Sequence, residues 1–211
     1  MFNLMWGYLF VITLLFSTNI GLLLGNFKLN DKKAIMNSCI LGILLFVLTN
    51  VSNRISFNLL DYMAYIFIII AIAVFIVLAV FLKQENFKNS IVSIIVLFYV
   101  SALILTFQID GFYIFDSLFL SIISIIIMFI AYKTSNLLKY AKRPYNVIVG
   151  EYMSLEGILI FLFGLTFISI MQLDYTMFSS FLILTPTYQL IYVIIGIIII
   201  LIIGTYWNDK K

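Results

Sequence analysis

The basic residues of this chain alternate between gaps. It has 12 Lys and Arg residues, set between long hydrophobic stretches. Lys28, Lys32 and Lys33 follow the first stretch, and Lys83 and Lys88 the third. Lys133, Lys139, Lys142 and Arg143 follow the fifth, and Lys210 and Lys211 close the chain. Of the twelve, only Arg54 lies in a gap of the other kind. Cytoplasmic segments of membrane proteins carry such an excess of Lys and Arg, so the pattern predicts a polytopic membrane protein with its N-terminus outside and its C-terminus in the cytoplasm.

A helix needs about 20 apolar residues to cross about 30 Å of hydrocarbon. Seven stretches meet that length or come close to it: 4–25, 34–51, 62–82, 90–109, 112–132, 145–171 and 187–207. The second is short and the sixth long. An N-out, C-in chain requires an odd number of crossings, and seven is odd. Runs such as Ile197 to Ile200 favour strands in water, but barrel strands alternate polar and apolar residues, whereas these runs are continuously apolar. The expected fold class is therefore all-α: a single integral membrane domain over 1–211, with seven transmembrane helices. Trp6, Tyr8, Tyr206 and Trp207 mark interfacial boundaries. Helices one to three and four to six would run in opposite orientations, which permits a 3+3 inverted repeat plus one helix. No sequence repeat is visible.

Composition excludes several function classes. The chain is 64% hydrophobic with only 10% charged residues, against about 25% charged in soluble domains, and its mean hydropathy is +1.21. No gap is long enough to fold as an aqueous domain. The net charge of +3 reflects asymmetry across a bilayer and gives no nucleic-acid footprint. With one cysteine, Cys39, and no histidine, an intramolecular disulfide is impossible, and metal or haem centres built from Cys and His are not expected. The first stretch lacks a basic leader and a small-residue cleavage site, so it reads as a retained helix. There is no phosphate-binding glycine loop, nucleophile elbow or H-E-x-x-H. The expectation is no enzyme, no cofactor and no metal.

Helices in lipid associate through small residues and polar links. The first stretch carries Thr13, Ser17, Gly21 and Gly25, every fourth residue. The sixth carries Gly150, Ser154, Gly157 and Gly164, and the fifth Ser117, Ser121 and Ser124. These stripes are read as helix–helix seams, with a role in lining a narrow path as the second reading.

An ionisable group at membrane depth is a functional candidate by default. If the sixth helix begins near Tyr145, Glu156 lies about 16 Å in and Glu151 about 9 Å in, at about 1.5 Å per residue. The two are five residues apart, about 140° around the axis, and so cannot form a facing carboxylate pair. Two readings stand for Glu156: a proton or cation site on a transport path, or an interfacial carboxylate paired with Lys142 or Arg143. For Glu151 the paired reading is preferred. Asn19, deep in the first helix, is a candidate ligand for a substrate or ion, or a simple link to a neighbouring helix. Asn37 and Thr49 lie near helix ends, where contact with water is the easier account. Asp61, Asp110, Asp116 and Asp174 are expected outside, facing Arg54 as a solvated acidic rim or a cation-attracting vestibule.

Three places resemble an uncharacterised archaeal family of predicted transporters in the lysine-exporter superfamily. One is Asn19-Ile20-Gly21-Leu22-Leu23-Leu24-Gly25 followed by Asn30-Asp31-Lys32-Lys33. Another is Ser90-Ile91-Val92-Ser93-Ile94-Ile95-Val96-Leu97. The third is Gly150-Glu151-Tyr152-Met153-Ser154-Leu155-Glu156-Gly157, similar to that family's late G-x-x-M-x-x-x-G stretch. Where members carry a Pro/Cys motif preceded by a histidine, this chain has Phe98-Tyr99-Val100-Ser101 and no histidine, so no metal or thiol chemistry carries over. The resemblance implies a transporter of a small solute or ion.

The resulting expectation is a multi-pass plasma-membrane protein acting as a secondary transporter of a small solute or ion. Its path would run among helices one, four and six, with Glu156, Asn19 and Glu151 as candidates. Its partners would be lipid, the transported solute or ion, and further copies or membrane-complex subunits, with no nucleic acid. The alternative is a non-catalytic membrane subunit of a larger complex.

Overall fold

The computed structural model describes residues 4–27, 29–52, 59–84, 87–109, 111–138 and 143–171. Six α-helices run through them: α1 (Leu4–Gly25), α2 (Asp31–Ser52), α3 (Met63–Gln84), α4 (Phe87–Thr106), α5 (Ile114–Leu138) and α6 (Tyr145–Met171). A single 3-10 turn, Leu60–Tyr62, leads into α3. No strand occurs among the described residues. All six helices are long and apolar enough to cross a membrane, and the protein is a helical membrane protein by that measure. The seventh expected stretch, 187–207, lies outside the described residues, as do Arg54, Asp110 and Asp174.

Two helices, α1 and α6, span the residues expected of them. Others differ at their ends because hydropathy registers lipid, whereas a helix continues as long as its backbone hydrogen bonds do. The short second stretch is a full 22-residue helix whose first turn includes Asp31, an acidic side chain placed favourably against the N-terminal dipole. The fifth helix starts at Ile114 and runs to Leu138, past Lys133. Its start is capped: the Tyr113 backbone N–H donates to Asp116 Oδ2 at 2.9 Å, while the Asp116 and Ser117 N–H groups donate to the Tyr113 carbonyl. This is the reciprocal half of a capping box. Asp116 thus serves a helix end. The preceding turn uses Gly111 at φ 73°, a left-handed conformation that costs glycine nothing.

Helix α1 is the axis of the bundle. It packs along α5 and α4, α2 lies against α5 and α4, and α3 packs on α4. The α1–α5 seam is the small-residue stripe. Ser17 and Ser124 share a hydroxyl hydrogen bond at 2.8 Å. A Cβ on Gly21 would meet the Met128 carbonyl oxygen at 2.5 Å and Ala131 Cβ at 2.6 Å, and one on Gly25 would strike Ser135. The matched positions ascend together, so α1 and α5 are parallel.

The serines of α5 divide between two neighbours. Ser124 faces α1, whereas Ser117 bonds Thr49 of α2 at 2.9 Å and the Ser121 carbonyl lies against Gly42 of α2. Thr49 is fully buried, which corrects its expected contact with water. A third seam joins α6 to α3. Gly150, Gly157 and Gly164 recur every seven residues and lie on Leu82, Phe75 and Ile68 respectively. A seven-residue repeat keeps one helix face on its partner, here antiparallel.

Outward, α2 shows Ile35, Ile43 and Val47, α3 shows Ile69, Ile72 and Ile76, and α5 shows Ile122, Ile126 and Ile130. In water such faces would be an aggregation hazard. In a bilayer they are solvated by acyl chains.

Candidate functional site

The site forms where α1 meets α6. Asn19 stands two residues from both Ser17 and Gly21, about 200° around the helix. The same register that presses the small stripe onto α5 therefore sends the Asn19 side chain to the opposite side. On α6, Gly157 lies on Phe75 of α3, and the residue before it, Glu156, is turned about 100° away. Asn19 Nδ2 donates to Glu156 Oε2. Both residues are 0% exposed. Glu156 is the twelfth of the 27 residues of α6, close to its midpoint.

The second oxygen of each group, Glu156 Oε1 and Asn19 Oδ1, is buried without a hydrogen-bond partner. Among the described residues the ion pairs are Lys133–Asp31 at 2.6 Å and Arg143–Glu151 at 3.0 Å, and neither involves Glu156. The described basic side chains Lys32, Lys33, Lys83, Lys88, Lys133 and Arg143 are all exposed. Burying a bare carboxylate costs several kcal/mol. Glu156 is therefore stable only with a proton or with a bound cation.

Tyrosines from α6 tie the two helices together on either side of the pair. Tyr152, one turn before Glu156, donates its hydroxyl to the Leu15 carbonyl at 3.1 Å, one turn before Asn19. Tyr145 donates to the Leu22 carbonyl, one of the carbonyls that the end of α1 leaves without an intrahelical partner. At the other end, Tyr8 packs on Phe163 with ring centroids 5.1 Å apart and on Phe67 of α3 at the same separation. The contacts at the two ends, Tyr8 with Phe163 and Leu22 with Tyr145, set α1 and α6 antiparallel, and Asn19 meets Glu156 between them.

The sequence-derived candidates thus separate. Asn19 and Glu156, 137 residues apart, are brought together. Glu151 is not with them: it is exposed and bonded to Arg143, one of the two partners expected for it. Gly21 and Gly25 belong to the α1–α5 seam, and Gly150, Gly157 and Gly164 to the α3–α6 seam. Helix α4 contributes Phe98, stacked on Phe16 of α1 with centroids 5.8 Å apart, and its Ser101 hydroxyl turns back to the Phe98 carbonyl. Asn37 is half-buried and Asp61 exposed. Sequence reasoning missed Tyr152 and Gly42. Tyr152 was legible as lying four residues before Glu156, on the same face. Gly42 stands alone in its helix, with no spacing to mark it.

In comparisons with known proteins, the chain matches no family model, no curated protein and no solved structure.

Proposed function

We propose that this chain is a secondary transporter of a small solute or ion in the plasma membrane, with Glu156 and Asn19 as its ion site. The observation that carries the proposal is a fully buried carboxyl near the middle of a membrane helix. It is held by an amide from the central helix, has no cationic side chain paired to it among the described residues, and leaves an unsatisfied oxygen. Structural polar links in lipid normally close their hydrogen bonds, and a charge-bearing group kept incomplete is what a site must have before its ion arrives. The proposed topology is seven spans, N-terminus outside and C-terminus cytoplasmic, resting on the alternation of Lys and Arg. The resemblance to predicted transporters of the lysine-exporter superfamily agrees with this reading, and a 3+3 inverted repeat would suit it.

The test has two stages. Gentle affinity purification from the native membrane, with the masses of everything recovered, should give the chain alone or as a homo-oligomer. Stoichiometric foreign subunits would instead make it part of a larger complex. In proteoliposomes the wild-type chain should then dissipate an imposed proton or alkali-cation gradient. Glu156→Gln, equal in shape and without charge, should insert and fold yet lose that flux. Undiminished flux in Glu156→Gln would remove the site from the mechanism.

A further inference from the structure

Two buried oxygens without partners, Glu156 Oε1 and Asn19 Oδ1, belong to one contact. Asn19 Nδ2 donates to Glu156 Oε2, so an amide and a carboxyl are already joined through one polar atom of each. The remaining two atoms are both acceptors. A single hydrogen satisfies both: bonded to Oε1, it makes the carboxyl a donor to Oδ1. Carboxylic acids and carboxamides are planar groups with two polar atoms on one carbon, and they pair in this way through two reciprocal hydrogen bonds.

The same hydrogen cancels the charge. Both residues are 0% exposed, and an ionised carboxyl at that depth is costly, as are buried acceptors without donors. A proton removes both costs at once and needs no room beyond the hydrogen bond it forms. Room is scarce beside the pair. Gly157 is covered by the Phe75 ring, which an added Cβ would meet at 3.0 Å, and Met153 and Ile160, on either side of Glu156 along α6, are fully buried. A metal ion at membrane depth needs several oxygens in place of its hydration shell, whereas the pair brings two.

The other described titratable groups on the surrounding helices are engaged elsewhere or exposed. Tyr152 and Tyr145 of α6 give their hydroxyl hydrogens to the Leu15 and Leu22 carbonyls, and Glu151 is exposed on Arg143. Tyr8 of α1 packs on Phe67 towards the other end. Tyr65 and Lys83 of α3 are exposed. In α4, Tyr99 donates to the Leu41 carbonyl and Lys88 is exposed. Helix α5 lies across α1 from Asn19, with Asp116 capping its start, Tyr132 on the Leu29 carbonyl and Lys133 on Asp31.

We infer that the ion of this site is the proton: Glu156 holds it on Oε1 and shares it with Asn19 Oδ1 in a reciprocal acid–amide pair. The inference rests on the proposal that the pair is the ion site of a transporter, and it names the ion. Glu156→Gln is then a close mimic of the loaded site. Its amide N–H takes the place of the acid O–H towards Oδ1, so both hydrogen bonds between α1 and α6 are kept and only the exchangeable acid is lost.

The experiment is infrared spectroscopy of the full-length chain in lipid, near neutral pH, where exposed carboxyls are ionised. A carboxylic acid absorbs above the amide I band and a carboxylate below it. Glutamate carrying carbon-13 in its side-chain carboxyl marks Glu85, Glu151 and Glu156 and separates them from the aspartates. One labelled carboxylic-acid band should appear, shift in heavy water and vanish in Glu156→Gln. In Asn19→Leu it should move to higher frequency, because the Oε2 carbonyl loses its donor. The labelled wild-type spectrum needs no variant, so it decides the protonation state even if both substitutions unfold the protein. In proteoliposomes with a permeant anion, Glu156-dependent flux should change the internal pH whether sodium or choline is the other cation. Glu156-dependent flux that requires sodium, with no labelled carboxylic-acid band, would overturn the proton and leave the transporter reading standing. A band that Asn19→Leu leaves unmoved would overturn the shared pair. A Glu156 band that Asn19→Leu shifts, without flux of any ion, would support the pair and refute the transporter reading.

Discussion

Gly21→Ala should loosen the bundle at its central seam, although it adds a single methyl group. The new Cβ would lie 2.5 Å from the Met128 carbonyl oxygen and 2.6 Å from Ala131 Cβ, where ordinary contact begins at 3.4 Å. The shortfall is about 0.9 Å. A helix carbonyl cannot rotate aside as a flexible side chain can, so α1 and α5 must separate. A rigid separation of that size would stretch the Ser17–Ser124 hydrogen bond from 2.8 Å to about 3.7 Å, beyond hydrogen-bond range. Overpacking of this kind costs about 1–3 kcal/mol. A lost polar link in lipid adds about 0.6 kcal/mol, up to about 1.7. Alanine's better helix propensity returns about 0.5–1 kcal/mol. The net destabilisation should be about 1–3 kcal/mol. Gly7→Ala on the same helix is the control, because a Cβ there meets nothing within 4 Å and only the propensity gain remains. The assay is unfolding in mixed micelles at increasing denaturing-detergent fraction, followed by labelling of Cys39, the single thiol, which is half-buried. Gly21→Ala should unfold earlier than wild type, and Gly7→Ala at the same point or later. If the two variants unfold together, the close α1–α5 approach deduced from the glycine stripe is refuted.

The other seams make parallel predictions. Gly164→Ala would bring a Cβ to 2.7 Å from Ile68 Cγ1 and 2.9 Å from the Ala64 carbonyl oxygen, and should cost about 1–3 kcal/mol in the same assay. A wild-type unfolding curve would count against the α3–α6 seam. Tyr145→Phe removes the hydroxyl that covers the Leu22 carbonyl and should cost about 1 kcal/mol, with earlier fraying of the end of α1 in hydrogen exchange as its signature. Glu151→Gln breaks an ion pair whose side chains are 57% and 71% exposed. Its stability should stay within about 1 kcal/mol of wild type and its flux should be unchanged, in contrast to Glu156→Gln. A loss of flux equal to that of Glu156→Gln would bring Glu151 into the mechanism.

Much of this protein follows from local physics that a sequence carries on its face. Long apolar runs in lipid must close their backbone hydrogen bonds within each segment, so the runs at 4–25 and 145–171 are helices over those very residues. Small residues at helical spacing must meet something, and the stripes Ser17-Gly21-Gly25 and Gly150-Gly157-Gly164 are indeed seams. Asn19 and Glu156 stood out because a polar group in lipid requires a reason. What could not be read was which partner each surface takes. Periodicity places Gly21 and Asn19 on opposite faces of one helix, but says nothing of α5 on one side and α6 on the other. The division of the α5 serines between α1 and α2, the burial of Thr49 and the isolated close approach at Gly42 have the same origin. Helix ends depend on caps such as Asp116 at Tyr113, which hydropathy does not register. The pairing of Asn19 with Glu156 joins residues 137 positions apart, and only the packing of α6 along α1, set by shape and by the tyrosines that bridge them, brings the two side chains to one height. Helix formation is decided within a few residues by hydrogen bonding and transfer into lipid, whereas the partner of each face is decided by complementarity between surfaces that no single segment contains.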